Sequence, residues 1–164
     1  MTNRIDKVNY YLDIAETVAE RGTCLRKDYG CIIVKNDEII STGYTGAPRG
    51  RANCIDLNCC TKKKLYPDMH HGGYDACRSV HAEQNAIISA ARKDMIGATM
   101  YLVGKRKDTG EYEEGANSCQ TCRKMIINAG ISKVIVRTSK TEYIEVDVKE
   151  WIDNDELLVG KITY

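Results

Sequence analysis

Two short motifs, His81-Ala82-Glu83 and Cys119-Gln120-Thr121-Cys122, constrain this chain more than any other part of it. Apolar residues at Val80, Ala82, Ala86, Ile87, Ala90 and Ala91 recur with helical spacing, which predicts a buried helix running to about residue 93. His81 and Glu83 then fall in its first turn, near the positive end of the helix dipole. Alone, such a pair is an ordinary polar helix start. A C-x-x-C pair at a helix start adds something more specific: one turn brings both sulfurs to the same side, where they can clamp one zinc ion. Catalytic zinc takes three protein ligands and leaves a fourth position to water. His81, Cys119 and Cys122 supply three, and Glu83 remains free to carry protons to and from that water.

Together the two halves match the pattern H-x-E followed by P-C-x-x-C, which belongs to zinc deaminases. One position departs from it, Ser118 standing where the pattern has proline. Serine caps a helix N-terminus well, so the start survives the exchange. The rival reading is a redox C-x-x-C of thioredoxin type, which expects the motif just after an early strand of a βαβ unit. Here it follows the polar loop 104–117 and comes late in the chain.

The 164 residues suit a single domain, 1–164, with one sheet covered by helices. With 24 basic and 23 acidic residues, the chain has no excess charge to favour nucleic acid or an anionic membrane. The first residues lack the apolar run of a signal peptide and no stretch reaches the length of a membrane span, so a cytoplasmic location is expected. In a reducing compartment eight cysteines point to metal rather than to disulfides.

Residues 6–21 carry the apolar stripe of a helix lying on a core, and Gly22 is its natural stop. Residues 31–34 and 39–44 read as strands joined by Lys35-Asn36-Asp37-Glu38, an antiparallel hairpin. Strand 98–103, helix 119–129 ended by Gly130 and strand 133–137 follow, an alternation that implies parallel pairing. Residues 146–152 suggest a short helix, and 157–160 a strand or packing strap. The segment 45–78 has neither period, and loops this long are functional or held by something other than a core. It contains Cys54, Cys59, Cys60, His70, His71 and Cys77, for which a second metal would be an anchor. Lys62-Lys63-Lys64 reads as a solvated run without a role, and Cys31 as a small buried hydrophobe.

Over roughly residues 6–137 the chain resembles the deoxycytidylate (dCMP) deaminases of the cytidine deaminase-like superfamily. The resemblance is carried by Thr23-Cys24-Leu25-Arg26, by Gly43-Tyr44-Thr45-Gly46-Ala47-Pro48-Arg49-Gly50, by Asn53-Cys54, by His81-Ala82-Glu83-Gln84-Asn85-Ala86-Ile87, and by Cys119-x-x-Cys122 with Met125 to Ile131. It implies a three-layer α/β/α sandwich with a five-stranded mixed sheet, and zinc-dependent hydrolysis of dCMP to dUMP in the supply of thymidylate. It also implies a homo-oligomer, often a hexamer, and regulation by dCTP and dTTP. The family commonly has asparagine where this chain has Thr45, whose shorter hydroxyl offers a different contact.

Within the resemblance Glu83 is the proton carrier, and Arg26, Thr45, Gly46 and Ala82 are expected to meet the nucleotide. Arg26, Arg49 and Arg51 are the candidates for its phosphate, since arginine forks suit phosphate oxygens. A second, structural zinc is implied at Cys24, Cys54, His71 and Cys77, with Cys59, Cys60 and His70 as alternates. The alternatives are deamination of guanine or of adenosine in tRNA, and a non-catalytic zinc-binding interaction module related to competence proteins. A tRNA enzyme should show a basic stripe, which this chain lacks, and nucleoside cytidine deaminases typically have cysteine where His81 stands.

Overall fold

The computed structural model describes residues 3–69, 73–158 and 160. In chain order the elements are α1 (Lys7–Ala19), β1 (Lys27–Lys35), β2 (Glu38–Tyr44), α2 (Cys54–Leu57), α3 (Thr61–Leu65), a 3₁₀ turn at Tyr74–Ala76, α4 (Ala82–Ile88), α5 (Arg92–Met95), β3 (Thr99–Arg106), α6 (Gln120–Ala129), β4 (Lys133–Arg137), β5 (Tyr143–Asp147) and α7 (Val148–Asp153). The strands form one five-stranded mixed sheet in the order β2-β1-β3-β4-β5, in which only β3 and β4 pair in parallel.

Alternation along the central strands explains the layers. Cys31 and Ile33 of β1, Met100 and Leu102 of β3, and Val134 and Val136 of β4 point to one face, where Ala82 and Ala86 of α4 and Cys122 and Ile126 of α6 cover them. Ile32, Val34, Tyr101, Val103 and Ile135 point to the other, against Tyr11, Leu12 and Ala15 of α1. Helices on both faces bury both sides of the sheet, which is why these strands read as unbroken apolar runs. The result is the expected α/β/α sandwich.

At the hairpin between β1 and β2, Asn36 and Asp37 both have positive φ, 52° and 63°, as a two-residue type I′ turn requires. The Tyr11 hydroxyl of α1 donates to Asp37 and ties the turn to the helix. Arg137, fully buried on β4, fixes α1 to the sheet from the other end. Its Nη1 donates to Asp13 Oδ1 at 2.7 Å and Glu16 Oε2 at 2.8 Å, and its Nη2 donates to Asn9 Oδ1 at 3.1 Å.

Two elements differ from the sequence expectation. The helix after His81 ends at Ile88 instead of near residue 93, because the Ser89 hydroxyl bonds back to Asn85 O at 2.8 Å and the chain leaves helical geometry before α5 begins. Residues 143–147, not read as a strand, form β5, and the helix expected at 146–152 starts only at Val148. β5 is an edge strand with nearly every side chain exposed, so it shows no apolar alternation to read. The segment expected at 157–160 includes Val159, which lies outside the described residues; Leu157 and Leu158 are in a turn.

Candidate metal centre and substrate cavity

Several independent ties set the position of α4. Just before it, Val80 bridges to Gly46, its N–H donating to Gly46 O at 2.7 Å and its carbonyl accepting from Gly46 N at 3.2 Å. Asn85 Nδ2 donates to Tyr44 O at 2.8 Å, and the Ser41 hydroxyl donates to Ala86 O at 2.7 Å. At Gly43 the helix backbone lies directly on β2: an added Cβ would stand 2.3 Å from Ala82 O. His81 is the N-cap residue, and its N–H donates to Gln84 Oε1 at 2.9 Å.

The second half of the site is the start of α6. Cys119 is the N-cap and Cys122 lies in the first turn, both buried. Arg123 secures the approach to them: its Nε donates to Ser118 O at 2.9 Å, its Nη1 to Glu156 Oε2 at 3.0 Å, and its guanidinium lies over the Trp151 ring of α7.

Helix packing brings the two starts together. His81 Nδ1 lies 3.5 Å from Cys119 Sγ and 3.4 Å from Cys122 Sγ, and all three ligand atoms lie within 4.8 Å of one another. Zinc bonds of about 2.3 Å to sulfur and about 2.0 Å to nitrogen, set at the tetrahedral angle, give an S···N edge of about 3.5 Å. The donor set therefore fits zinc in both chemistry and spacing. Among the described residues it is the only group of three His, Cys, Asp or Glu side chains this compact.

Of the three ligand groups, Cys119 is the one whose electrostatics favour the deprotonated form that zinc binds. The hydrogen bond from Cys122 and the neighbouring His81 hold the Cys119 thiol down at about 4, while Cys122, bonded to Cys119 and buried near Glu83, is pushed well up. Burial pulls His81 down, but the Cys119 hydrogen bond and the Glu83 charge outweigh it and leave the imidazole above its ordinary value. Burial raises Glu83 above the usual carboxylate range, against the opposing pull of His81. A carboxyl poised in this direction suits proton transfer.

The metal set opens on a cavity of about 290 Å³, with His81, Glu83 and Cys119 in its wall beside Tyr29, Thr45 and Tyr74. Arg26, Lys27 and Lys62 are its cations. Lys27 is committed to Glu113 at 2.5 Å.

Of the residues expected to meet substrate, Glu83, Thr45 and Arg26 line this cavity. Gly46 and Ala82 do not: both backbone groups of Gly46 are spent on Val80, and Ala82 is fully buried between α4 and the sheet. Arg49 and Arg51 are exposed and outside the lining. Cys24, Cys60 and Cys77 also line the cavity, and they stand close enough to Cys54 to add to the effect of burial in raising its thiol. Their ligand atoms are not drawn together as those of the His81 set are, and His70 and His71 lie outside the described residues.

Lys62 overturns the reading of residues 62–64 as a solvated run. It is 7% exposed and its Nζ sits 4.8 Å over the Tyr74 ring, which forms a T-shaped pair with the His81 ring, their centroids 4.8 Å apart. No local pattern in the sequence singles out Lys62 or Tyr74.

Comparison with known proteins agrees with this geometry. The family model for the cytidine and deoxycytidylate deaminase zinc-binding region matches residues 5–138. The deoxycytidylate deaminase of Mycobacterium phage D29 is 33% identical over 137 residues, covering 81% of this chain and 95% of that protein. That of Saccharomyces cerevisiae is also 33% identical, over 136 residues, but the match spans only 37% of its length. Among solved structures, the dCMP deaminase of cyanophage S-TIM5, determined in apo form and in complex with dCMP and dUMP, is similar to this chain. The apo form has a TM-score of 0.55 and 27% identity, covering 81% of this chain and 85% of that one.

Proposed function

This chain belongs to the cytidine and deoxycytidylate deaminase zinc-binding family, and from that premise we propose that it is a zinc-dependent hydrolase converting dCMP and water to dUMP and ammonia. One observation carries the reading: a His-Cys-Cys set with zinc spacing, a buried carboxyl and uncommitted cations share one cavity. At about 290 Å³ it is near the lower end of small-ligand sites.

His81, Cys119 and Cys122 would hold the ion. When bound, zinc supplies the Lewis acidity that brings the pKa of water down towards neutrality. Glu83 accepts the proton given up by the attacking water and delivers it to N3 of the cytosine, which makes C4 more electrophilic. It then takes the proton of the hydroxyl added at C4 and passes it to the amino group, which leaves as ammonia as the C4–N bond breaks and the carbonyl forms. Burial keeps this carboxyl out of bulk water and raises its proton affinity, so both directions of transfer are accessible. Tyr29 and Tyr74 give the wall flat apolar surface for a pyrimidine.

Assays of purified protein on dCMP, dCTP, cytidine and guanine test the proposal. Conversion of dCMP to dUMP ahead of the others is expected; turnover of guanine alone would overturn it.

We extend the proposal to a second, structural zinc, to a homo-oligomer regulated by dCTP and dTTP, and to a cytoplasmic location. The second zinc is supported by the Cys24, Cys54 and Cys77 neighbourhood, to which Cys60 also belongs. About two zinc ions per chain are expected, with Cys54→Ser losing one. Assembly and regulation rest on the family resemblance. The location rests on the absence, among the described residues, of any helix long and apolar enough to cross a membrane and of any disulfide.

A further inference from the structure

Lys62 is the feature of the cavity that the zinc chemistry leaves unused. A lysine this buried is normally paired, because an isolated buried charge is costly. Lys62 has no carboxylate within ion-pair distance among the described residues; its Nζ lies over the face of Tyr74, and its charge reaches His81. Its stem is held in place: a Cβ added at Gly73 would stand 3.6 Å from Lys62 Cε, beside Met69 and Tyr66. The charge is thus held at a fixed place inside the cavity wall instead of moving in solvent.

That place is informative. Tyr74 neighbours both Lys62 and His81: the ammonium lies 4.8 Å over its ring, and its ring and the imidazole make a T-shaped pair with 88° between their planes. A base positioned for attack lies against His81 and Glu83, so a cation one aromatic ring away faces the part of the ligand beyond the base. The other lysine of the cavity, Lys27, is neutralised by Glu113. Arg26 is exposed at the mouth.

Resting on the dCMP reading above, we propose that Lys62 is the specificity-determining contact to the substrate phosphate, held by Tyr74, and that it makes the site select a nucleoside monophosphate over the free nucleoside. The ammonium donates to phosphate oxygens in a charge-assisted contact. Among the described residues its charge has no carboxylate partner, and an anionic ligand entering the cavity would supply one.

The test uses the full zinc-loaded chain and compares dUMP with deoxyuridine as inhibitors of dCMP turnover. In the wild type dUMP inhibits more strongly than deoxyuridine. Lys62→Met keeps the packed stem and removes the charge, so the Ki of dUMP should rise about 10- to 100-fold while that of deoxyuridine stays within about twofold. Lys63→Met, which removes the neighbouring exposed charge, should behave as wild type. Equal inhibition by dUMP and deoxyuridine in the wild type, an unchanged dUMP constant in Lys62→Met, or a parallel rise for both inhibitors would overturn the role of Lys62 and leave the deaminase reading standing. A zinc-loaded wild-type chain that converts no dCMP would overturn that reading instead, and the lysine's role with it.

Discussion

Replacing Gly43 by alanine should disable the site without touching any residue that lines it. The added Cβ would meet Ala82 O at 2.3 Å and Ala86 N at 2.4 Å, both backbone atoms of α4 that no rotamer change can move aside. Ordinary contact begins at about 3.5 Å, so helix and strand must separate by about 1 Å. Ala82 lies between His81 and Glu83, so the displacement carries ligand and proton carrier away from Cys119 and Cys122, which stay with α6. A misplacement of this size costs about 100-fold in rate, equivalent to about 2.7 kcal/mol of transition-state stabilisation. Overpacking costs a further 1–3 kcal/mol or so of stability. Gly30→Ala is the control. Its Cβ would meet Ala15 O at 2.1 Å, an equally severe clash, but with α1 on the opposite face of the sheet. Thermal unfolding, zinc affinity by chelator competition, and kcat/KM well below the melting temperature should be measured on both. Both variants are expected to lose stability, and only Gly43→Ala to lose zinc affinity and kcat/KM. Equal losses of activity in the two, or a folded Gly43→Ala protein with wild-type kcat/KM, would refute the reasoning.

Arg137→Met removes a buried cation from between Asp13 and Glu16 and should cost about 3 kcal/mol in denaturant unfolding, the low end for a broken buried pair, since Lys105, Tyr112 and Lys140 still reach the carboxylates. Burial tends to raise both carboxyls, but their hydrogen bonds outweigh it and hold them below the ordinary range. Their contribution is therefore complete above the unfolded-state values of about 4 and is lost as pH falls through the lower folded-state values. Stability of the wild type should fall across that acid window, and Arg137→Met should flatten the fall; an unchanged acid profile would contradict the assignment. Arg123→Met should weaken zinc affinity about 10-fold, as loss of an outer-shell support does, by freeing Ser118 beside Cys119. Unaltered zinc affinity in that variant would show that the Cys119 loop holds itself.

The chemistry of the centre was legible because its four residues sit in two local motifs at helix starts, where spacing alone settles which side chains share a face. The sheet was legible at β1, β3 and β4, where both faces are buried and the apolar runs are continuous. β5 was not, since an exposed edge strand needs no apolar pattern. Lys62 was misread because the part of its environment that buries its end, Gly73 and Tyr74, comes from beyond the end of α3 and bears no helical or strand spacing to it. The long segment 45–78 lacks a period because its short helices α2 and α3 bury one residue each, Cys54 and Lys62, too few to make a stripe.

The central claim is that His81, Cys119 and Cys122 hold one zinc beside a carboxyl whose only task is to move protons. Glu83→Gln tests it most directly, with zinc content and dCMP turnover measured on the same preparation. Metal content equal to the wild type with kcat lower by about 10²- to 10⁴-fold is the expected result; a glutamine variant that turns over dCMP at the wild-type rate would contradict it.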